Sequence, residues 1–461
     1  MSHRSVKRET PPAPGPVRPF ELPPADARSL DNGLAVKLLR QKRLPVATLT
    51  LAVDAGEALL DGDEAGRAVL AGDALEGGTE DRDAHELARV LEGMGADLDI
   101  RTGWDATTVS LTVLPERLDE ALSLLAEVVR RPAFPASEVE RTRVQQQASL
   151  RQRAMNPAQV ADDEAVRRVF AQDVPFGRPL PGTLESLADV GVQETSSFVD
   201  RAFGPGGGGL AAVGDLNPER VMAAVTDAFG DWASPTAPMG PPREMAPGER
   251  RRRIVVVHRP GAVQSELRLA QMGVARSDPD YIPLQLFNTV LGGSFGSRLN
   301  LKLREERGFT YGVRSHFAFR RQPGPFMVGA AVGTEQTPQA VADALQELEG
   351  LVEEGPTPSE VEAARDYLAG VFPLRFETTA QTAARLAELV IHRLPDDFHT
   401  TYRDRVAEVA PEQVRDAGRR AVRPQELLVL VVGDAEALEG PLRELGAGPV
   451  EGVAEGDDAH G

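Results

Sequence analysis

The chain contains no cysteine, which excludes disulfides, thiolate metal ligands and thiol nucleophiles, and leaves the redox compartment open. Lysine is nearly absent too. Lys7, Lys37, Lys42 and Lys302 are the only four, so arginine carries almost all the positive charge. That imbalance reads as a compositional bias, not as function. Cations as a whole are in deficit, with 51 Lys and Arg against 70 Asp and Glu for a net charge of −19. Such a balance speaks against nonspecific binding to nucleic acid or an anionic membrane, because a phosphate backbone is held by clustered cations. A basic peptide partner would be tolerated. No apolar run approaches the roughly 20 residues of a membrane span. The N-terminal MSHRSVKRETPPAPGPVRPFELPP has basic residues but lacks the apolar stretch of a secretory signal. The expected location is therefore cytoplasmic, with neither nucleic acid nor membrane as partner.

What is present is the composition of a globular protein, 41% hydrophobic and 26% charged over 461 residues. That length exceeds one ordinary core, so two domains of roughly 200 residues each are expected. Residues 8–24 are proline-rich and read as an extended or disordered arm. Ala233–Arg253 (ASPTAPMGPPREMAPGERRRR) has the composition of a linker, and the Gly-rich acidic tail from Gly446 is expected to fray. The expected organisation is an arm over 1–28, a first domain over 29–232, a linker over 233–253, a second domain over 254–446 and a flexible tail over 447–461.

The two stretches flanking the linker repeat one another. Ser137-Glu-Val-Glu140 returns as Ser359-Glu-Val-Glu362, a shift of 359 − 137 = 222 residues. Val213-Gly-Asp215 returns as Val432-Gly-Asp434, a shift of 432 − 213 = 219. Either match alone is at chance level, but two with nearly the same offset and equivalent surroundings indicate an internal duplication. Each SEVE follows a proline-containing break after a helical pattern, and each VGD closes an apolar run suited to a buried strand. Val46–Val53 and Thr107–Val113 alternate as strands do, with Leu267–Met272 and Phe326–Val332 as their second-half counterparts. Helical spacing runs over His85–Gly93, Arg117–Arg131, Glu138–Gln152 and Pro218–Phe229 in the first half. In the second it runs over Pro283–Leu291, Leu299–Arg307, Gln339–Glu354 and Ser359–Phe372. Helices and strands interleave without regular βαβ spacing, so two α+β domains of one fold are expected.

The most specific motif is Leu291–Tyr311, LGGSFGSRLNLKLREERGFTY: a glycine-rich turn, then a charged amphipathic helix carrying Arg304, then Tyr311 seven residues on. It resembles the second-domain substrate clamp of the pitrilysin/insulinase family of zinc peptidases. The glycine-rich turn with Gly292, Gly293 and Gly296, the following Ser-Arg-Leu, the Leu-Arg-Glu helix end and the tyrosine all match. A first-half segment, Gly66-Arg-Ala-Val-Leu-Ala-Gly-Asp-Ala-Leu-Glu-Gly-Gly-Thr79, resembles that family's active-site helix with its chemistry removed. There the first glycine is followed three residues later by His-x-x-Glu-His, and a Gly-Thr pair follows at the spacing kept by Gly78-Thr79. The ligand positions are Val69 and Asp73, and the general-base position is Gly72. Two imidazoles one helical turn apart reach one Zn²⁺ while the glutamate takes a proton from bound water. Valine cannot ligate and glycine has no carboxylate. The third ligand, a glutamate, falls near Ala148–Ser149 and is absent. Pro181-Gly-Thr-Leu-Glu-Ser186 resembles a further turn of the family, and the likeness extends over about Leu30 to Val432.

No other residues replace the missing site. The histidines are His3, His85, His258, His316, His392, His399 and His460, the closest pair seven positions apart, whereas zinc needs three convergent ligands. Asp61, Asp63, Glu64, Asp73 and Glu76 could form a carboxylate-only site in principle, but clustered acids beside a turn are more often a solvated loop. Gly204–Gly209 lacks a following Gly-Lys-Ser/Thr and is no phosphate loop. Ser294 and Ser297 have no His and Asp neighbours for a triad.

The resemblance implies a protein like the zinc-less subunit of two-subunit family members such as mitochondrial processing peptidase and its bacterial relatives. No metal would bind here, and zinc would sit only in a homologous partner of a heterodimer. Arg304 and Tyr311 would contact the bound peptide beside the partner's metal, since a guanidinium and a phenol donate to peptide carbonyls or to the forming oxyanion. The plainer alternative pairs Arg304 with a glutamate of its own helix and makes Tyr311 an aromatic at a strand start. At the level of the whole protein, the alternative is a structural or peptide-binding core-type protein with no proteolytic partner.

Overall fold

The structure, a computed structural model, describes residues 19–454. The N-terminal part of the proline-rich arm, the end of the tail, His3 and His460 lie outside these residues.

The fold is α+β, two homologous halves each built on a six-stranded sheet. In the first half the strands are β1 (Asp26–Ser29), β2 (Ala35–Arg40), β3 (Ala47–Val53), β4 (Asp97–Thr102), β5 (Thr107–Val113) and β6 (Gly209–Gly214). In the second they are β7 (Arg253–His258), β8 (Gln264–Met272), β9 (Val313–Phe317), β10 (Pro325–Gly333), β11 (Leu428–Gly433) and β12 (Val450–Ala454). The orders β1-β2-β6-β3-β5-β4 and β12-β7-β11-β8-β10-β9 coincide when β2 is matched to β7, β6 to β11, β3 to β8, β5 to β10 and β4 to β9. The two VGD repeats end β6 and β11, which hold the same place in their sheets. Both strands are apolar at successive positions because both faces are covered.

The helices of the first half are α1 (Arg67–Ala74), α2 (Ala84–Met94), α3 (Leu118–Arg130), α4 (Ala136–Met155), α5 (Pro157–Val169), α6 (Val192–Ala202) and α7 (Pro218–Phe229). Those of the second are α8 (Tyr281–Asn288), α9 (Thr337–Glu354), α10 (Pro358–Val371), α11 (Thr379–Ile391), α12 (Phe398–Glu408), α13 (Pro411–Ala421) and α14 (Ala435–Glu444). The SEVE repeats open α4 and α10. In α10 the start is fixed by Thr357, whose hydroxyl accepts from Glu360 N while the Glu360 carboxylate accepts from Thr357 N.

One feature departs from two self-contained domains. Helix α5, from the first half, packs on β8 and β11 of the second sheet. Helix α11, from the second half, packs on β3 and β6 of the first. The two helices start at Pro157 and Thr379, 379 − 157 = 222 residues apart, the SEVE shift again, so the exchange is reciprocal. Ala161, Ala165 and Val169 of α5 bury Val255, Val257, Leu430 and Val432. Arg268 of β8 reaches α5 through Asp162 Oδ1 (2.6 Å) and the Ala158 carbonyl (3.0 Å). On the other side Thr48 of β3 shares a hydrogen bond with Thr379 (2.8 Å), and Lys37 of β2 pairs with Asp396 just after α11.

Two expectations about the ends are corrected. The tail does not fray from residue 447: β12 runs parallel to β7, and Ile254 N donates to the Pro449 carbonyl (2.8 Å). Backbone pairing to a buried strand outweighs the glycine-rich composition. Likewise residues 26–28 are no free arm but part of β1, antiparallel to β2, and the Phe20 ring lies 6.0 Å from both Phe372 and Phe376.

Candidate functional site

The degenerate helix is α1. Its N-terminus is held by fully buried Glu57, whose carboxylate accepts from Gly66 N (2.5 Å), Ala68 N (3.2 Å) and the Arg178 guanidinium (3.2 Å). Burial pushes this carboxyl up to about 7, against the pull of Arg178 and the two amides. The turn Pro181–Ser186 closes over the same end. Gly66 and Gly182 meet backbone to backbone, and Ser186 Oγ donates to the Ala65 carbonyl (2.7 Å).

On this helix the base position is filled by a neighbour. A Cβ on Gly72 would lie 2.2 Å from Thr102 Oγ1 of β4, and that hydroxyl is bonded to Thr107 Oγ1 (3.0 Å). The room a glutamate needs is therefore occupied. Val69 is half-buried and offers no donor, and Asp73 faces solvent. Packing around Asp73 and then the charge of Glu76 raise its carboxyl to about 6. Among the described residues no three His, Asp or Glu side chains converge on a point. Asp61, a candidate for a carboxylate cluster, pairs with Arg243 instead. Zinc thus does not fit the residues present. Two of the inward histidines are engaged as ordinary side chains: His258 Nδ1 accepts from Ala435 N (3.1 Å), and His399 Nε2 bonds the Arg385 carbonyl (2.8 Å).

The second-half motif is built as a rigid turn. Helix α8 ends in a widened turn over Thr289–Gly293, and a second wide-turned helical segment runs Asn300–Glu306. Gly292 and Gly293 are required by contact. A Cβ on the first would lie 2.9 Å from Ser315 N of β9, and one on the second 2.9 Å from the Asn288 carbonyl. Gly296 has open space around it, so its place in the motif has no packing cause. Asn300 ties turn, helix and strand together. Its amide donates to the carbonyls of Ser294 (3.1 Å) and Val313 (2.9 Å) and to Ser297 Oγ (3.0 Å), and its carbonyl accepts from Val313 N (3.0 Å). Arg298 anchors the segment to α10 through a two-pronged pair with Glu360 (2.6 and 2.8 Å).

Leu299 and Leu303 bury one face of the segment, which turns Arg304 outward. The Arg304 guanidinium stacks 4.1 Å over the Phe295 ring, and its Nε lies 3.7 Å from Glu305. That contact with Glu305 is a loose one, too long for a hydrogen bond. Phe295 is 68% exposed and Tyr311 100% exposed. A groove of about 390 Å³ beside the turn is lined by Val290, Phe295, Ala363 and Tyr367. The sequence pattern misses Asn300, whose importance lies in four bonds no periodicity reveals. It also misses Phe295, whose signal, an aromatic inside a glycine-rich turn, was available.

The family model described as Insulinase (Peptidase family M16) matches residues 36–184, and the model described as Peptidase M16 inactive domain matches residues 190–368. A Helicobacter pylori protein named non-peptidase homolog YmxG is 23% identical over 85% of this chain and 90% of its own length. A Mycobacterium leprae protein named an uncharacterized zinc protease is 27% identical over 73% of this chain and 75% of its own. Among solved structures, a Pseudomonas fluorescens protein described as a peptidase M16 inactive domain superposes with a TM-score of 0.83. Its identity is 28%, with 89% of this chain and 98% of that one covered. A Helicobacter pylori protease gives a TM-score of 0.81 at 17% identity over 89% and 100%, a likeness of fold.

Proposed function

Because the chain belongs to the insulinase family, peptidase family M16, as a member without its His-x-x-Glu-His motif, we propose that it is the non-catalytic subunit of a heterodimeric zinc endopeptidase. In this reading it encloses an extended peptide, aligned along an exposed sheet edge, and presents Arg304 and Tyr311 to the active site of a homologous, zinc-bearing subunit. The observation that carries the reading is the contrast between the two halves. Thr102 fills the space of the absent base, while Arg304 stands partly exposed on a braced segment and Tyr311, just beyond it, is fully exposed. A protein with only a scaffolding role has no use for a braced, outward arginine.

Chemically, the pair would act as charged and neutral donors to the oxyanion that forms as the partner's metal-activated water attacks. Donors aimed where charge develops stabilise the transition state more than the ground state. Phe295 would hold the guanidinium plane still, so that less freedom is lost on binding.

The test is co-expression with a homologous subunit carrying the zinc motif, followed by peptide cleavage with each protein alone and both together. Arg304→Ala is expected to lower turnover by about 10²–10³-fold with the heterodimer still formed. Wild-type turnover in that variant would remove the clamp assignment. Failure of any zinc-bearing homologue to associate would favour a structural or peptide-binding role without a proteolytic partner.

A further inference from the structure

A cavity of about 750 Å³ lies where the two halves and the linker meet. Its walls come from the β4–β5 hairpin (Trp104, Asp105), the turn after α6, the proline-rich stretch 234–242, the loop after β8 (Arg276) and the end of α11 (His392, Arg393). Its walls include neither the clamp residues nor α1, and nothing in the proposed role uses it.

The charges on its walls do not cancel. Asp54 is taken by Arg321, with Arg393 3.7 Å away. Asp105 accepts from Arg321 N (3.0 Å) and lies 4.0 Å from His392 Nδ1. Both acids are thus matched. Arg276 is not: it is 8% exposed, and its guanidinium stacks on Tyr281 at 3.5 Å and Phe398 at 4.4 Å. No carboxylate among the described residues pairs with it. Buried arginines are almost always paired, because an unmatched buried charge is costly. A second polar group is orphaned beside it, for His392 Nδ1 is buried with no hydrogen-bond partner among the described residues. The remaining wall carries exposed Arg201 with Ser234 and Ser277, and its larger part is apolar, with Trp104, Met239 and Pro241 among its side chains.

We propose that this cavity binds a small organic carboxylate, with Arg276 gripping the carboxylate, His392 bonding it from the side and Trp104 covering its apolar body. One guanidinium packed against two rings inclined at 62° to each other presents a restrained fork of N–H donors, which matches one planar carboxylate. The volume suits a small ligand, and a few fixed polar groups in a mostly apolar cleft are the usual form of such sites. Because both halves and the linker supply walls, an occupied cavity would tie the halves together.

The experiment uses the full-length chain and phenylacetate as probe, with phenylacetamide and inorganic phosphate as controls. Binding is measured by calorimetry and by fluorescence in Trp232→Phe, where Trp104 is the one remaining tryptophan. Expected is a saturable signal with Kd below about 1 mM for phenylacetate, at least about tenfold weaker for the amide and for phosphate. Arg276→Gln is expected to weaken phenylacetate by about tenfold or more, with unchanged circular dichroism. Equal binding of the amide, tighter binding of phosphate, or no saturable signal in the wild-type chain would each overturn the proposal. Should Arg276→Gln fail to fold, the comparison of acid with amide on the wild-type chain still decides.

Discussion

Gly72 shows at the level of one residue why the first half cannot be repaired by restoring its motif. A glutamate there must push Thr102 off its bond to Thr107. We expect Gly72→Glu to cost about 1–3 kcal/mol, seen as a lower midpoint in thermal melting. Val69→His/Gly72→Glu/Asp73→His should bind no stoichiometric zinc, since Ala148 and Ser149 supply no third ligand. Stoichiometric metal in that triple variant would show that the site is vacant rather than filled. His392 makes a second residue-scale test. Burial, then the positive fields of Arg276 and Arg321, lower its pKa to about 4, and Asp105 at 4.0 Å does not restore it. The folded imidazole therefore stays neutral while the unfolded one protonates near 6.5. Its contribution is present above about pH 6.5 and is lost as pH falls toward 4. His392→Gln should flatten that part of the stability profile by on the order of 2–3 kcal/mol, measured by denaturant titration across the range.

Between residues and domains, the decisive unit is the turn and segment from Thr289 to Glu306. Its order depends on Asn300, all of whose polar atoms are satisfied inside the protein. Asn300→Ala should destabilise by about 1–3 kcal/mol, because Val313 N and two carbonyls lose partners out of water. It should also weaken stimulation of a zinc-bearing partner even where the protein remains folded, a loss read from turnover at saturating subunit. At this scale much was legible beforehand. The alternation of Thr107–Val113 and the apolar runs before each VGD gave β5, β6 and β11 within a residue or so, since side-chain period reports the covered faces. Helix α7 spans Pro218–Phe229 as its pattern implied, with Asn217 capping Glu219 N and Arg220 N. Strand β12 (VEGVA) was hidden because its pairing is a backbone matter, and its two valines, three positions apart, do not alternate as a half-buried strand would. The widened turns at Thr289 and Asn300 were hidden for a similar reason: a helix with wider hydrogen bonds keeps nearly the same pattern of buried leucines.

For the whole molecule, the crossing of α5 and α11 matters most. The sequence analysis identifies neither helix, and amphipathic spacing would in any case say that a face is covered but not by which sheet. Residues 19–240 expressed alone would leave β3 and β6 without α11, and residues 241–454 would leave β8 and β11 without α5. We expect each piece to aggregate or to bind a fluorescent apolar dye, and the two co-expressed pieces to elute together at the size of the intact chain on gel filtration. Two separately monomeric, cooperatively melting pieces would contradict this view of the architecture. The crossing also has a consequence for biosynthesis. As the polypeptide leaves the ribosome, the outer surface of the first sheet stays bare until residues 379–391 emerge, by which time more than four-fifths of the chain has been made. The nascent protein thus carries a sticky surface through most of translation, and its yield in a cell should depend on whichever chaperone shields that sheet in the interval.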